Sequence, residues 1–481
     1  NKIEKLDSKI KINFEEINKG ISAASNTALS MARVEFIALL DNDDELTIDA
    51  LHEIVKLLNK NKEADFIYSD EDKIDIDGKR CEPFFKPDWS LELFRSYSYT
   101  CHISVFRKSF IDEIGGFRNE FSGAQDYDIT LRAIERTKNI FHIPKILYHW
   151  RKIPGSAADV IDAKGWALIA AKRALEDHLV RTQIEAEVKK SESIPGCFRV
   201  KYKIKGNPLV SILLPTRGQM QGKSEDELLF KCVESIVSKT EYSNYEILIG
   251  YNNTLESKIQ NFLKAYPHRA INYKLNGEFN FANKINFMAK HARGEHLVIF
   301  NDDLEVIAGE WLSSLLEFSQ QEEVGVVGSK LLFPDGKLQH VGMVLGINGY
   351  PAHIYHSAKP DFPGYRGDAN LIRNYSAVTG AAMMVKKKLF DELKGLDENF
   401  RIDYNDTDFC MRVAEKGYRN VYTPYSLFYH HESAVLSSGR LNNKETELFQ
   451  RKWKKYLNND PFYNPNLTKK ALDYSLDLCP V

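Results

Sequence analysis

Two stretches far apart in the chain share one pattern of apolar and polar positions. Each begins with a run rich in small residues (Ala23, Ala28, Ala32; Ala282, Ala289, Ala292) that predicts a helix. A short turn follows, and then an uninterrupted apolar segment, Phe36 to Leu40 or Leu297 to Phe300. An apolar run of strand length after a helix predicts a strand buried on both faces of a mostly parallel α/β sheet. Each run stops in acidic residues, Asp41-Asn42-Asp43-Asp44-Glu45 and Asn301-Asp302-Asp303-Leu304-Glu305. The offsets agree: Asn26 precedes Asp43 by 17 residues, and Asn286 precedes Asp303 by 17. In open α/β sheets ligands bind beyond the carboxyl ends of the strands, where both acidic runs are expected.

A second pair of segments repeats further on. Gly115-Gly116-Phe117 leads to Asp126 and Asp128, then Arg132, Pro144 and His149. Gly395-Leu396-Asp397 leads to Asp406 and Asp408, then Arg412, Pro424 and His430. Each acidic pair is expected to open a helix, where capping and the helix dipole favour negative charge. The interval from Asp43 to Asp126 is 83 residues, but that from Asp303 to Asp406 is 103. The surplus falls around Gly346–Arg373, which reads as a loop holding His353 and His356.

The repeat divides the chain into two tandem α/β modules. Residues 1–154 form a first module, 155–205 a helical linker, 206–439 a second module, and 440–481 a C-terminal helix and extended tail. The second module opens with the apolar strand Val210–Thr216, a helix from Glu225 to Ser238, and a strand from Tyr245 to Gly250. Strands alternating with helices predict a doubly wound sheet. The first module lacks such an opening, about 51 residues by comparison, and residues 9–14 are expected to be its third strand. Ala163 to Val188 predicts the linker helix, and Glu445 to Leu457 a terminal one.

Composition narrows the function. Lys plus Arg (65) nearly balances Asp plus Glu (67), so no basic field points to nucleic acid. No apolar run reaches the roughly 20 residues that span a bilayer. The six cysteines are scattered without zinc-ligand spacing, which reads as a reduced, cytoplasmic chain.

The second module strongly resembles bacterial glycosyltransferase family 2 enzymes of surface-polysaccharide and O-antigen assembly, particularly rhamnosyltransferase-like ones. The resemblance is carried by Val210–Thr216, Phe300-Asn301-Asp302-Asp303-Leu304-Glu305-Val306, Pro334-Asp335-Gly336, Asn405-Asp406-Thr407-Asp408-Phe409-Cys410 and Tyr429-His430-His431-Glu432-Ser433. The first module looks like another copy, incomplete at its N-terminus, through Leu40–Glu45, Tyr68-Ser69-Asp70-Glu71-Asp72 and Gln125-Asp126-Tyr127-Asp128.

The resemblance implies two GT-A folds and inverting transfer of a sugar from a nucleoside diphosphate sugar, assisted by Mg²⁺ or Mn²⁺. The acceptor would be a glycan or lipid-linked glycan, with the protein cytoplasmic or peripheral at the inner face of the cytoplasmic membrane. A departing diphosphate gains charge, which a cation held by carboxylates neutralises. The resemblance assigns the metal to Asp303, Asp43 and His430, and the general base to Asp406 and Asp126. Pro215, Thr216, Arg217, Asn252, Asn286, Asn26, Asp41 and Asp302 are expected to bind the donor. Asp408 and Asp128 are expected to cap the helix or hold neighbouring backbone. The competing reading from the same residues is a non-catalytic carbohydrate-binding or scaffolding module of a polysaccharide assembly.

Overall fold

The computed structural model describes residues 7, 9–153, 165–218, 225–431 and 443–476. Glu432, Ser433, Cys479 and the start of the expected linker helix at Ala163 lie outside the described residues. The chain forms two compact units, residues 1–89 with 94–200, and residues 90–93 with 201–481. The helix of the expected linker, Gly165–Arg181, belongs to the first unit and packs on the helix Gln125–Ile134 there.

The second unit is built on a ten-stranded sheet. Its first four strands, Arg269–Tyr273, Tyr245–Asn252, Val210–Thr216 and His296–Phe300, run parallel to their neighbours. Beyond them the sheet is mixed. Ala382–Lys386 pairs antiparallel with both His296–Phe300 and Val324–Leu332. The strand Arg419–His430 then runs parallel to Val324–Leu332, and Leu304–Val306 closes the edge antiparallel to it. The class is α/β as expected, but the sheet is mixed rather than mostly parallel. Apolarity marks a strand as buried; it carries no information about direction.

Every residue of His296–Phe300 is buried, because strands flank it on both sides and the helix Trp311–Ser319 packs against the sheet. Removing such side chains from water contributes about 1.5–3 kcal/mol each.

The first unit repeats the mixed half only. Its six-stranded sheet runs Phe36–Ala38, Ser104–Arg107, Phe66–Ile74, Ile140–Arg151, Glu45–Leu46, with Arg80–Phe84 beside Phe66–Ile74. Among its described residues nothing corresponds to the three outer parallel strands of the second unit. Residues 9–14 form no strand, against expectation. In consequence Phe36–Ala38 is an edge strand, paired on one side with Ser104–Arg107. Phe36 and Ile37 are half-buried, and Ala38 and Leu40 are exposed, so the expected fully buried strand is only half covered.

Candidate functional site

In the second unit the carboxyl ends of three adjacent parallel strands meet at one helix. Thr216 ends Val210–Thr216, Asn252 ends Tyr245–Asn252, and Asp302 follows His296–Phe300. Lys284, on the helix Phe281–His291, is buried beneath them. Its Nζ donates to the Thr216 carbonyl (2.6 Å) and to Asn252 Oδ1 (2.8 Å). Burial lowers the Lys284 pKa to about 7, against the attraction of Asp302 and with the repulsion of Arg217. Burial, reinforced by the charge of Asp303, raises Asp302 to about 6, and the Thr216 side chain bonds to it. Pro215 lies opposite Gly250 in the parallel ladder, and the Arg217 carbonyl accepts from the Asn252 N–H (3.2 Å). Thr216, Arg217, Asn252 and Asp302 are therefore brought together, around a lysine that sequence reasoning missed. The signal was present: Phe281, Lys284 and Met288 share the stripe that the helix turns inward.

Asp303 lies one residue on, buried, with Oδ1 3.1 Å from His430 Nε2. The strand register places Leu304 opposite His430, which fixes this meeting. His430 Nδ1 bonds to Gln339 Oε1 (2.6 Å), so its other nitrogen is the one turned to Asp303. A carboxylate oxygen and an imidazole nitrogen together suit Mn²⁺ or a similar divalent ion.

Asp406 sits in the first turn of the helix Asn405–Glu415. Its Oδ2 accepts from the Gly380 N–H (2.7 Å) and its Oδ1 from the Thr407 N–H (2.6 Å). The neighbouring residue Ala381 accepts from the Asn301 N–H (2.9 Å). One short loop thus touches both the acidic run and Asp406. Burial lowers the His353 pKa, against the bond to the Gln339 carbonyl (3.2 Å) and the charge of Asp406. The His353 ring lies 4.7 Å from that of the buried His340. Against the expectation of a loop, the segment around Gly346–Arg373 holds the second strand of a hairpin, Met343–Ile347 with Tyr350–His353, and a 3-10 helix at Tyr365–Asn370; His353 ends that second strand.

Two expectations need correction. Asn286 does not face a donor: its amide donates to the Leu396 carbonyl (2.9 Å) and accepts from the Leu396 N–H (2.8 Å). Asn26 does the same with Phe117 at 2.7 and 2.8 Å. Both asparagines pin the segment that leads into the acidic helix. Asp408 and Asp128 hold their surroundings through side chains. Asp408 binds Arg412 (2.8 Å), Lys452 (2.7 Å) and Trp453 Nε1 (3.0 Å), and Arg412 reaches the carbonyls of Leu393 and Gly395. Asp128 binds Arg132 (2.9 Å) and Arg118.

In the first unit Asp41, Asp44 and His102 present ligand atoms within 4.8 Å of one another. Asp43, expected to bind the metal, is not in this group; its carbonyl accepts from Arg151 Nε (2.7 Å). Strand pairing explains the difference. Glu45 faces His149 where Leu304 faces His430, so Asp44 rather than Asp43 holds the place of Asp303. One extra residue in the first acidic run shifts the count. Asp126 lies close by, and burial raises its pKa while His102 opposes the rise.

A family model described as Glycosyl transferase family 2 matches residues 1–115 and 211–394. An uncharacterized protein of Sinorhizobium fredii, y4gI, is 39% identical over 482 residues, covering 98% of this chain and 52% of that protein. The O-antigen biosynthesis protein RfbC of Myxococcus xanthus is 35% identical over 477 residues, covering 98% of this chain and 36% of that protein. The chain thus spans about half or less of the length of these relatives. A solved structure of GalNAc-T7 with UDP, GalNAc and Mn²⁺ aligns at a TM-score of 0.40 and 13% identity, over 52% of this chain and 50% of that one. Among the described residues no helix is long and apolar enough to cross a membrane. With the family model matched in both units, over more than half of its residues, the chain belongs to glycosyl transferase family 2.

Proposed function

We propose that the second unit transfers a sugar, with inversion, from a nucleoside diphosphate sugar to a glycan or lipid-linked glycan acceptor in cell-surface polysaccharide assembly. The observation that carries this reading is the contact of Asp303 with His430 beside Asp302, Lys284, Thr216 and Asn252, with Asp406 joined to the same acidic run through Gly380-Ala381. Asp303 and His430 would hold Mn²⁺ or Mg²⁺, which when bound offsets the charge that develops on the departing diphosphate. The Lys284 ammonium adds positive charge beneath the strand ends where the nucleotide is placed. Asp406 takes the proton of the attacking hydroxyl; its backbone bonds to Gly380 and Thr407 fix its direction. The match to RfbC supports an O-antigen-type acceptor.

The second reading, a non-catalytic carbohydrate-binding or scaffolding role, is favoured by Asn301, an amide at the head of the second acidic run. Among the described residues, sugar-nucleotide binding is assigned to the strand ends of the second unit. Calorimetric titration of a sugar-nucleotide panel with Mn²⁺ tests both statements. One site is expected, lost in Asp303→Ala, and donor turnover is expected to be lost in Asp406→Asn with binding retained. Undiminished binding by Asp303→Ala refutes the assignment.

A further inference from the structure

The two units also repeat at the other end of their sheets, away from the acidic runs. In the second, His296 lies opposite Lys386, and the Lys387 N–H donates to the Glu295 carbonyl (2.8 Å). Lys387 pairs with Asp391 (2.7 Å). In the first, Phe36 lies opposite Arg107, and the Lys108 N–H donates to the Glu35 carbonyl (2.8 Å). Lys108 pairs with Asp112 (2.7 Å). The backbone and one ion pair are therefore the same in both.

The other charges differ. In the first unit Arg107 is saturated: it binds Glu35 (2.7 Å), Asp65 (3.1 Å) and the carbonyls of Lys62 and Ala64 (2.6 and 2.8 Å). In the second unit Lys386 donates to the Gln321 carbonyl instead, and Lys388 stands where the first unit has Ser109. Among the described residues, Lys205, Lys388 and Glu295 enter no ion pair.

Where Arg107 and Glu35 join in the first unit, the second has a cavity of about 710 Å³. Four ammonium groups line it (Lys205, Lys386, Lys387, Lys388) against two carboxylates (Glu295, Asp391), a surplus of two positive charges. Burial lowers the Lys386 pKa against the attraction of Glu322, a cost that a bound anion offsets. The rest of the wall is uncharged. Burial, with the repulsion of Lys386, lowers His296 to about 4, so its ring is neutral at pH 7. Its Nδ1 meets Ser319 Oγ (2.8 Å), and Pro208 lines the cavity beside it.

The volume lies in the range of small-molecule sites, roughly 300–1,000 Å³. No lining residue is an arginine, whose planar fork matches carboxylates. Lysines are point charges with rotatable donors, and they suit the spread oxygens of phosphate. We propose that this cavity binds a phosphorylated small molecule, a nucleotide or a sugar phosphate, with its phosphoryl oxygens among the lysines and its ring against Pro208 and His296. The cavity lies at the amino end of His296–Phe300, and Asp302 and Asp303 lie past the carboxyl end. Four steps of about 3.3 Å separate the two ends of that strand, so the two sites are distinct. The proposal does not rest on the transferase reading.

The test is calorimetric titration of the full chain with uridine diphosphate and with glucose 1-phosphate. It is run in EDTA and in an Asp303→Ala background, which together silence the strand-end site. One equivalent is expected to bind with one probe or both, which distinguishes the nucleotide from the sugar source. Lys205→Glu with Lys388→Glu should weaken that binding at least tenfold; both side chains are exposed, so the fold is spared. In a second measurement, without these substitutions, the bound probe should slow acetylation of Lys386, Lys387 and Lys388 at least threefold, read by peptide mass spectrometry. Failure of both probes to bind, affinity unchanged in the double charge reversal, or unslowed acetylation would each overturn the site.

Discussion

His430 Nε2 stands 3.1 Å from Asp303 Oδ1, and Gln339 Oε1 holds the opposite nitrogen of the same ring at 2.6 Å. Gln339 therefore orients the ring that meets the carboxylate. Replacing Gln339 by Leu removes that constraint and touches neither Asp303 nor the donor. Mn²⁺ affinity of the second unit should fall by roughly 10–100-fold, the usual effect of losing such an outer partner. A Mn²⁺ titration in an Asp44→Asn background isolates this site.

Lys284 gives the donor site a pH dependence. Its folded pKa is lowered to about 7, so its charge is complete below that value and is lost as pH rises through it. A charge-assisted hydrogen bond contributes about 1.5–3 kcal/mol. Nucleoside diphosphate affinity is thus expected to drop at least tenfold from pH 6 to pH 9, and Lys284→Met should flatten the profile. Stability moves the other way. Between pH 7 and the unfolded value of 10.5 the unfolded chain holds the extra proton, so this group's contribution to stability rises with pH across that window. Melting curves of the wild type against Lys284→Met at pH 7 and pH 9 read the sign directly.

Gly380 sits against the proposed base. A Cβ built there would stand 3.0 Å from Asp406 Cβ and 3.4 Å from its Oδ2. Gly380→Ala should displace the Asp406 side chain by a few tenths of an ångström. Transfer is expected to slow by about tenfold or more, since catalytic groups act only within hydrogen-bond reach of the proton they take. Mn²⁺ and nucleotide binding should be unchanged, which separates this effect from damage to Asp303.

Asp406 and Asp408 lie two residues apart and should respond oppositely to substitution. Asp408 is fully buried among Arg412, Lys452 and Trp453. Asp408→Ala leaves those cations without their counter-charge, and a loss of about 3–5 kcal/mol is expected in urea unfolding. Asp406→Asn keeps the shape and should cost little stability while abolishing transfer.

The repeat made much of this architecture legible. Alternating helix and apolar strand marked both cores, and the matched acidic pairs marked the helices that begin at Gln125 and Asn405. Counting failed where the chain bulges. The distance from Asn26 selects Asp43, yet strand pairing selects Asp44, because a turn absorbs one residue without disturbing the sheet. His102 was invisible for a different reason. It faces Asp41 only through an antiparallel partner whose identity depends on strand order, which apolar patterning does not encode. The role given to Asn26 and Asn286 failed because a polar side chain beside a site can serve the backbone as readily as a ligand.

The helix Phe281–His291 touches the donor side through Lys284 and, half a turn later, the approach to Asp406 through Asn286. A rigid rod with contacts two residues apart behaves as a calliper. The spacing between the strand ends at Thr216 and Asn252 and the segment before Asp406 is then gauged by the regular backbone from Lys284 to Asn286 rather than by the loops that surround it.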